Sequence, residues 1–302
     1  MSTPVPDNTP PDQTPLILAL DTSSSYTSMA LARQDQFVAG LAVQSSAARS
    51  ERVWAQADLL LREAGLSIAD IDLYAVCTGP GGFTGIRVGM ASAKGFASAA
   101  RRPLIGVSAL EATAMGAAVT SPSHSELLVC ALIKAYRGDV YSQLFRIDSN
   151  GFPTKLNEPT ISTMASALER VSGLENLILV GDPARESFDL IRDSIRARGG
   201  RTGAVDRSAP DPGETDDEAT TGSGSSAKPQ VNPSNWLIVG SPRLLAANVA
   251  RLAYKKYLDG QAQAPGEVRA CYVRASEAEI KLSLGLVGPG LGGRPADPEV
   301  AK

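Results

Sequence analysis

Apolar positions open the ordered part of the chain as an unbroken run, Leu16-Ile17-Leu18-Ala19-Leu20, which stops at Asp21. A short apolar run closed by turn residues reads as a buried strand. Thr22-Ser23-Ser24-Ser25 supplies the turn, and Tyr26–Ala32 and Phe37–Gln44 read as two more strands around the polar stretch Arg33-Gln34-Asp35-Gln36. Three strands with such short connections predict an antiparallel meander. The period then changes. Val53, Ala57, Leu60, Leu61 and Ala64 recur at helical spacing, with Ser50 as a cap and Gly65 as a stop. Ser67-Ile68-Ala69-Asp70 reads as a short capped turn, and Leu73–Thr78 as a strand. The glycine-rich segment Gly79-Pro80-Gly81-Gly82-Phe83-Thr84-Gly85 leads into a helix over Ile86–Ala99, then strand Leu104–Val107. Ser108-Ala109-Leu110-Glu111 has the spacing of a capping box opening the next helix.

The second half repeats the theme. Leu127–Ala135 and Val140–Ile147 predict a hairpin around Tyr136-Arg137-Gly138-Asp139. A helix over Thr163–Val171, a strand over Leu177–Val180 and a helix over Ala184–Arg198 follow. Residues 199–235 hold few large apolar side chains and read as a flexible insertion, because burial there cannot offset the entropy of ordering. Trp236–Gly240 resumes as a strand, and Ser241-Pro242 opens a helix to Leu258. The order strand, strand, strand, helix, strand, helix, strand, helix predicts an α/β fold of two ribonuclease-H-like domains of the actin/sugar-kinase superfamily, with mixed sheets flanked by helices. The expected boundaries are a disordered tail at 1–14, a first domain at 15–107, a degenerate second domain at 108–283 interrupted at 199–235, and a disordered tail at 284–302.

Composition narrows the chemistry. The 302 residues carry a net charge of -3, which argues against unaided grip on nucleic acid. The single histidine, His124, lies in a Ser-Pro-Ser-His-Ser loop, so a two-histidine metal site is excluded, and no Gly-x-Ser-x-Gly elbow is present. Cys77, Cys130 and Cys271 form no Cys-x-x-Cys pair and suit a reducing, cytoplasmic setting. The N-terminal segment has no signal-peptide pattern, and no apolar run is long enough to span a membrane.

Two segments hold candidate chemistry. The Gly79–Gly85 loop, between a strand and a helix start, can present N–H groups to an anion. Tight backbone packing and close approach of another chain suit its glycines equally well. Asp21-Thr22-Ser23 occupies the first hairpin, where actin-like ATPases carry an acidic residue and a phosphate-gripping turn, but it lacks the usual glycine; an Asx turn held by Asp21 is the preferred reading. The candidate nucleotide or anion contacts are Asp21, Thr22, Ser23, Gly81, Gly82, Thr84 and Gly85. Arg192, Arg196, Arg198 and Arg201 make a modest basic stripe, read as a solvated helix face.

Ala19-Leu20-Asp21-Thr22-Ser23, the run from Gly79 to Gly89, Ala93-Lys94-Gly95 and Val107–Glu111 fall in order. Together with Tyr136–Tyr141 and Cys271–Glu279 they resemble the bacterial TsaB (YeaZ) family, non-catalytic relatives of the TsaD threonylcarbamoyl transferase. Gly82 stands where the family usually has serine, and Arg49 where it often has histidine. The resemblance implies a scaffold subunit without catalytic residues or metal ligands of its own. Its partners would be a TsaD-like catalytic subunit and a TsaE-like ATPase. It would meet tRNA only through that complex, leave ATP and a metal ion to its partners, and be able to form a homodimer. Family dimers use the N-terminal helices, which correspond here to about 50–64 and 85–99, and the interface candidates are Trp54, Leu61, Arg87, Met90 and Phe96. An independent actin-fold ATPase or phosphotransferase using Asp21 is the alternative, and a peptidase a third reading without a triad or metal site to support it.

Overall fold

A computed structural model describes residues 14–44, 49–120, 127–196, 201–205, 235–271 and 273. The tails expected at 1–14 (except residue 14) and 284–302, His124 and most of the expected insertion lie outside the described residues.

The apolar run at Leu16 becomes β1 (Leu16–Asp21), followed by β2 (Tyr26–Arg33) and β3 (Gln36–Gln44) in an antiparallel meander. Then come α1 (Arg49–Glu63), β4 (Leu73–Cys77), α2 (Phe83–Ala100), β5 (Leu104–Val107) and α3 (Ala109–Met115). The two later strands add in parallel, giving a sheet in the order β3-β2-β1-β4-β5. β1 is buried at every position, which explains why it is continuously apolar rather than alternating. Its even-numbered leucines, Leu16, Leu18 and Leu20, enter a core with Val53, Leu61, Tyr74 and Phe96 beneath α1 and α2. Ile17 and Ala19 face the opposite layer.

The second half supplies β6 (Leu127–Lys134), β7 (Val140–Ile147), β8 (Pro153–Lys155), β9 (Thr160–Ser162), α4 (Met164–Val171), β10 (Leu177–Val180), α5 (Asp182–Glu186), α6 (Phe188–Arg196), β11 (Arg201–Val205), β12 (Asn235–Val239) and α7 (Leu245–Leu258). Its sheet runs β11-β12-β10-β6-β7-β8, with β9 also paired to β7. Two mixed sheets flanked by helices are the architecture that the element order predicted.

Several details differ from the sequence reading. α7 does not cover the second sheet: Leu245, Ala246, Val249, Ala250 and Ala253 pack against Ile17, Ala19, Ile105 and Val107 of the first. This packing ties the last helix of the second half to the first sheet. α7 begins at Leu245, three residues after Pro242. The helix expected over Ala184–Arg198 breaks at Ser187, whose non-helical backbone resets the phase so that Ile191 and Ile195 face Trp236. Within the expected insertion at 199–235, Arg201–Val205 pair in parallel with β12. The Ser108 box does not form, because Ser108 makes no side-chain cap bond and Glu111 turns to lysines instead. Ser67 and Asp70 do close their box.

One glycine is fixed by backbone contact. Gly181 has φ +136, and a Cβ there would overlap the carbonyl oxygen of Leu132. Gly181→Ala should lower unfolding stability by about 3 kcal/mol or more, because strand backbone must move. Gly173→Ala, at a position with open space, should change it by less than about 0.5 kcal/mol; chemical denaturation of both variants checks the contrast.

Candidate functional site

The structure brings the β1–β2 turn and the glycine loop together. Asp21 ends β1 fully buried, and its Oδ1 accepts hydrogen bonds from the Ser23 N–H at 2.9 Å and the Ser23 hydroxyl at 2.6 Å. Its Oδ2 accepts one from the Ser24 hydroxyl at 3.3 Å. This is the Asx-type turn that the short polar segment predicts. Burial pushes the Asp21 carboxyl up from its ordinary value, and the serine donors only partly oppose that push. Burial and the neighbouring Asp21 together raise the Cys77 thiol well above its ordinary value; its Sγ lies 3.4 Å from Ser23 Oγ.

The remaining polar atoms of the turn are turned inward as well. The Thr22 hydroxyl donates to the Gly85 carbonyl at 2.6 Å, and the Gly82 N–H donates to the Ser23 carbonyl at 2.8 Å. A Cβ on Gly81 would lie 2.6 Å from Ser23 O, and one on Gly89 would overlap the Thr22 hydroxyl. The glycines thus allow turn, loop and helix to meet backbone to backbone. The helix also begins earlier than expected, at Phe83, so Thr84 and Gly85 form its first turn. Asp21, Thr22, Ser23, Gly81, Gly82, Thr84 and Gly85 do converge, but their convergence closes a joint. Among the described residues no cluster of His, Cys, Asp and Glu can hold a metal ion.

The interface candidates divide by exposure. Trp54 on α1 is 55% exposed, and its ring rests on Phe96 with centroids 4.1 Å apart. Leu61, Met90 and Phe96 are buried in the core and form no part of the surface in this chain. They sit on the sheet-facing sides of α1 and α2, where hydrophobic burial within the chain claims them first. Arg87 is exposed, with its guanidinium 3.8 Å above the ring of Phe83, itself 39% exposed. Phe83 and Leu59 are surface apolar residues that the sequence reading passed over. Phe83 was hidden by being assigned to the loop; once it stands in the helix, it lies one turn before Arg87. The outcome is two exposed aromatic positions: Phe83 with Arg87 at the start of α2 beside the closed joint, and Trp54 of α1 over Phe96 further along α2. Elsewhere, Arg192 is held by Asp189 and Asp193, consistent with a solvated face rather than a basic contact.

A family model described as TsaD, tRNA N6-adenosine threonylcarbamoyltransferase, matches residues 43–186. The chain is 35% identical over 135 residues to the tRNA threonylcarbamoyladenosine biosynthesis protein TsaB of Escherichia coli, a match covering 45% of this chain and 57% of that protein. It is 28% identical over 184 residues to the protein of the same name from Bacillus subtilis, covering 61% and 78% of the two chains. Among solved structures, YeaZ from Pseudomonas aeruginosa superposes with a TM-score of 0.58 at 19% identity, covering 86% of this chain and all of that one. A second Pseudomonas aeruginosa structure, described as similar to peptidase YEAZ, gives 0.62 at 21% identity with the same coverage.

The joint has a pH signature. Folding raises the Asp21 pKa, so the folded chain holds this proton more tightly than the unfolded one. The stability it contributes is complete below the ordinary value of 3.8 and is lost as pH rises through the folded value. Asp21→Asn removes the desolvated charge while leaving an oxygen for Ser23. Its stability relative to the parent should therefore rise as the pH is increased above about 3.8, measured by urea unfolding at each pH. A difference independent of pH would refute the buried-acid assignment.

Proposed function

We propose that the chain is a member of the TsaB (YeaZ) family and serves as the scaffold subunit of a complex that installs threonylcarbamoyl on the adenosine beside the anticodon of tRNAs. Its role there is to bind and activate a TsaD-like catalytic partner. A TsaE-like ATPase joins the same assembly, tRNA is met only through it, and ATP and the metal ion of the reaction are carried by the partner subunits. Cytoplasmic location follows from the tRNA substrate; no helix among the described residues is long and apolar enough to cross a membrane.

One observation carries this reading: polar groups that could grip a phosphate are hydrogen-bonded to one another, while large apolar groups on α1 and α2 are left in solvent. Thr22 is bonded to Gly85 and Ser23 to Gly82, yet Trp54, Leu59 and Phe83 remain exposed. Exposed aromatic residues next to arginine are the usual composition of a partner surface. The same surface suits a second copy of the chain in the absence of the partner. The buried, serine-bound Asp21 gives little support to an independent ATPase, because a general base must reach solvent or substrate.

The test is light scattering after size exclusion, with the chain alone and mixed with the TsaD-like protein of its own organism. A stoichiometric complex is expected. Trp54→Asp should weaken it about thirtyfold or more without changing the fold, since an interfacial tryptophan is commonly a dominant anchor. Leu61→Ala should instead act on stability, because Leu61 is core. Modification of tRNA should require both proteins. Full modification by the partner without this chain would overturn the proposal.

A further inference from the structure

On the first sheet, the edge strand β5 is shadowed by residues 259–271, which no part of the proposed function uses. This segment pairs with Leu104 through Gln263, with N···O distances of 3.0 and 3.1 Å in the two directions. It buries Val268 and ends where the Cys271 N–H donates to the Thr78 carbonyl at 2.8 Å. Between the two contacts the segment stands off the strand and leaves a cavity of about 430 Å³. Its floor is Ile105, Ala262 and Val268, and its polar walls carry Lys256, Arg269 and Gln263. That volume suits a small metabolite.

The cavity's polar groups are chiefly donors. Tyr74 N–H donates to Pro103 O and Thr78 N–H to Val107 O, so the odd-numbered residues of β5 turn their backbone groups toward β4. Gly106 therefore turns outward. Its carbonyl accepts from Lys256 Nζ at 3.3 Å, and no described residue accepts its N–H. Charge points the same way. Lys256 lies 3.2 Å and Lys155 3.1 Å from the same nearly buried carboxylate, Glu111, so one anion faces two cations. Burial pushes the Glu111 pKa up, but the two lysines outweigh it and hold the carboxyl below its ordinary range. Arg269 adds a further cation, which donates to the Gly266 carbonyl.

We infer that this cavity binds the oxyanion of a small metabolite, a phosphate or carboxylate group held by Arg269, Lys256 and the Gly106 N–H over an apolar floor. The geometry is that of an anion site built from one outward backbone donor and two cationic side chains, and it lies apart from the α1–α2 surface. Calorimetric titration of the full chain with pyrophosphate and with citrate, at constant ionic strength in chloride, tests it. At least one anion should bind saturably. The tighter of the two tells whether phosphate or carboxylate is the group recognised. Arg269→Gln should weaken binding about tenfold, the loss of one charge-assisted hydrogen bond. Arg62→Gln, the same charge change on exposed α1, should leave it unaltered. In the unmodified chain the Gly106 amide resonance should shift on saturation, a readout that needs no variant. Absence of saturation by both anions into the millimolar range would overturn the inference, as would equal weakening in the two arginine variants or a Gly106 resonance that stays in place.

Discussion

The backbone of the Asp21–Ser25 turn lies directly against the backbone of the Gly79–Gly85 loop, with no space for a side chain between them. Much of the first lobe depends on that contact. It sets where α2 starts, because the Thr22 hydroxyl reaches the carbonyl of Gly85 in the first turn of the helix. It fixes the direction of α2 across the sheet, and with it the depth to which Met90 and Phe96 enter the core. It also explains the glycines at 81 and 89, where a Cβ would strike Ser23 and Thr22. A loop that could cradle a ligand has instead cradled its own neighbouring turn.

The two buried carboxylates of this lobe show how environment decides what an acid does. Asp21 has only neutral donors around it, so desolvation dominates and favours the protonated form. Glu111 is also mostly buried, but it faces Lys155 and Lys256, and their charge reverses the balance. Asp21 therefore acts within its turn, whereas Glu111 ties together β8, α3 and α7, elements from distant parts of the chain. Lys256 of this cluster also lines the edge-strand cavity.

Partner binding and fold are linked through α1 and α2. One side of each helix supplies the core, with Val53, Leu61, Met90 and Phe96. The other presents Trp54, Phe83 and Arg87 to solvent. Trp54 belongs to both, as its ring rests on Phe96. A partner that covers Trp54 would press on a residue already braced by the core. Such an anchor loses little side-chain freedom on binding.

The chain's local pattern determined the elements and their class: the apolar run of β1, the meander, the helical spacing of α1, the glycine loop, the Ser67–Asp70 box, and two α/β halves. These depend on interactions within a few residues, and periodicity records them. Resemblance over short motifs likewise pointed to the family. Tertiary structure decided the rest. Whether Leu61 and Phe96 or Trp54 faced solvent turned on the rotation of each helix about its axis, which packing against a particular sheet sets. That Glu111 paired with lysines rather than capping its helix depended on residues 44 and 145 positions away. That α7 covered the first sheet, and that the glycine loop closed on the Asp21 turn, were likewise matters of which distant surfaces met. Hydrophobic burial is non-directional, so a sequence states how much surface must be covered but not which partner covers it.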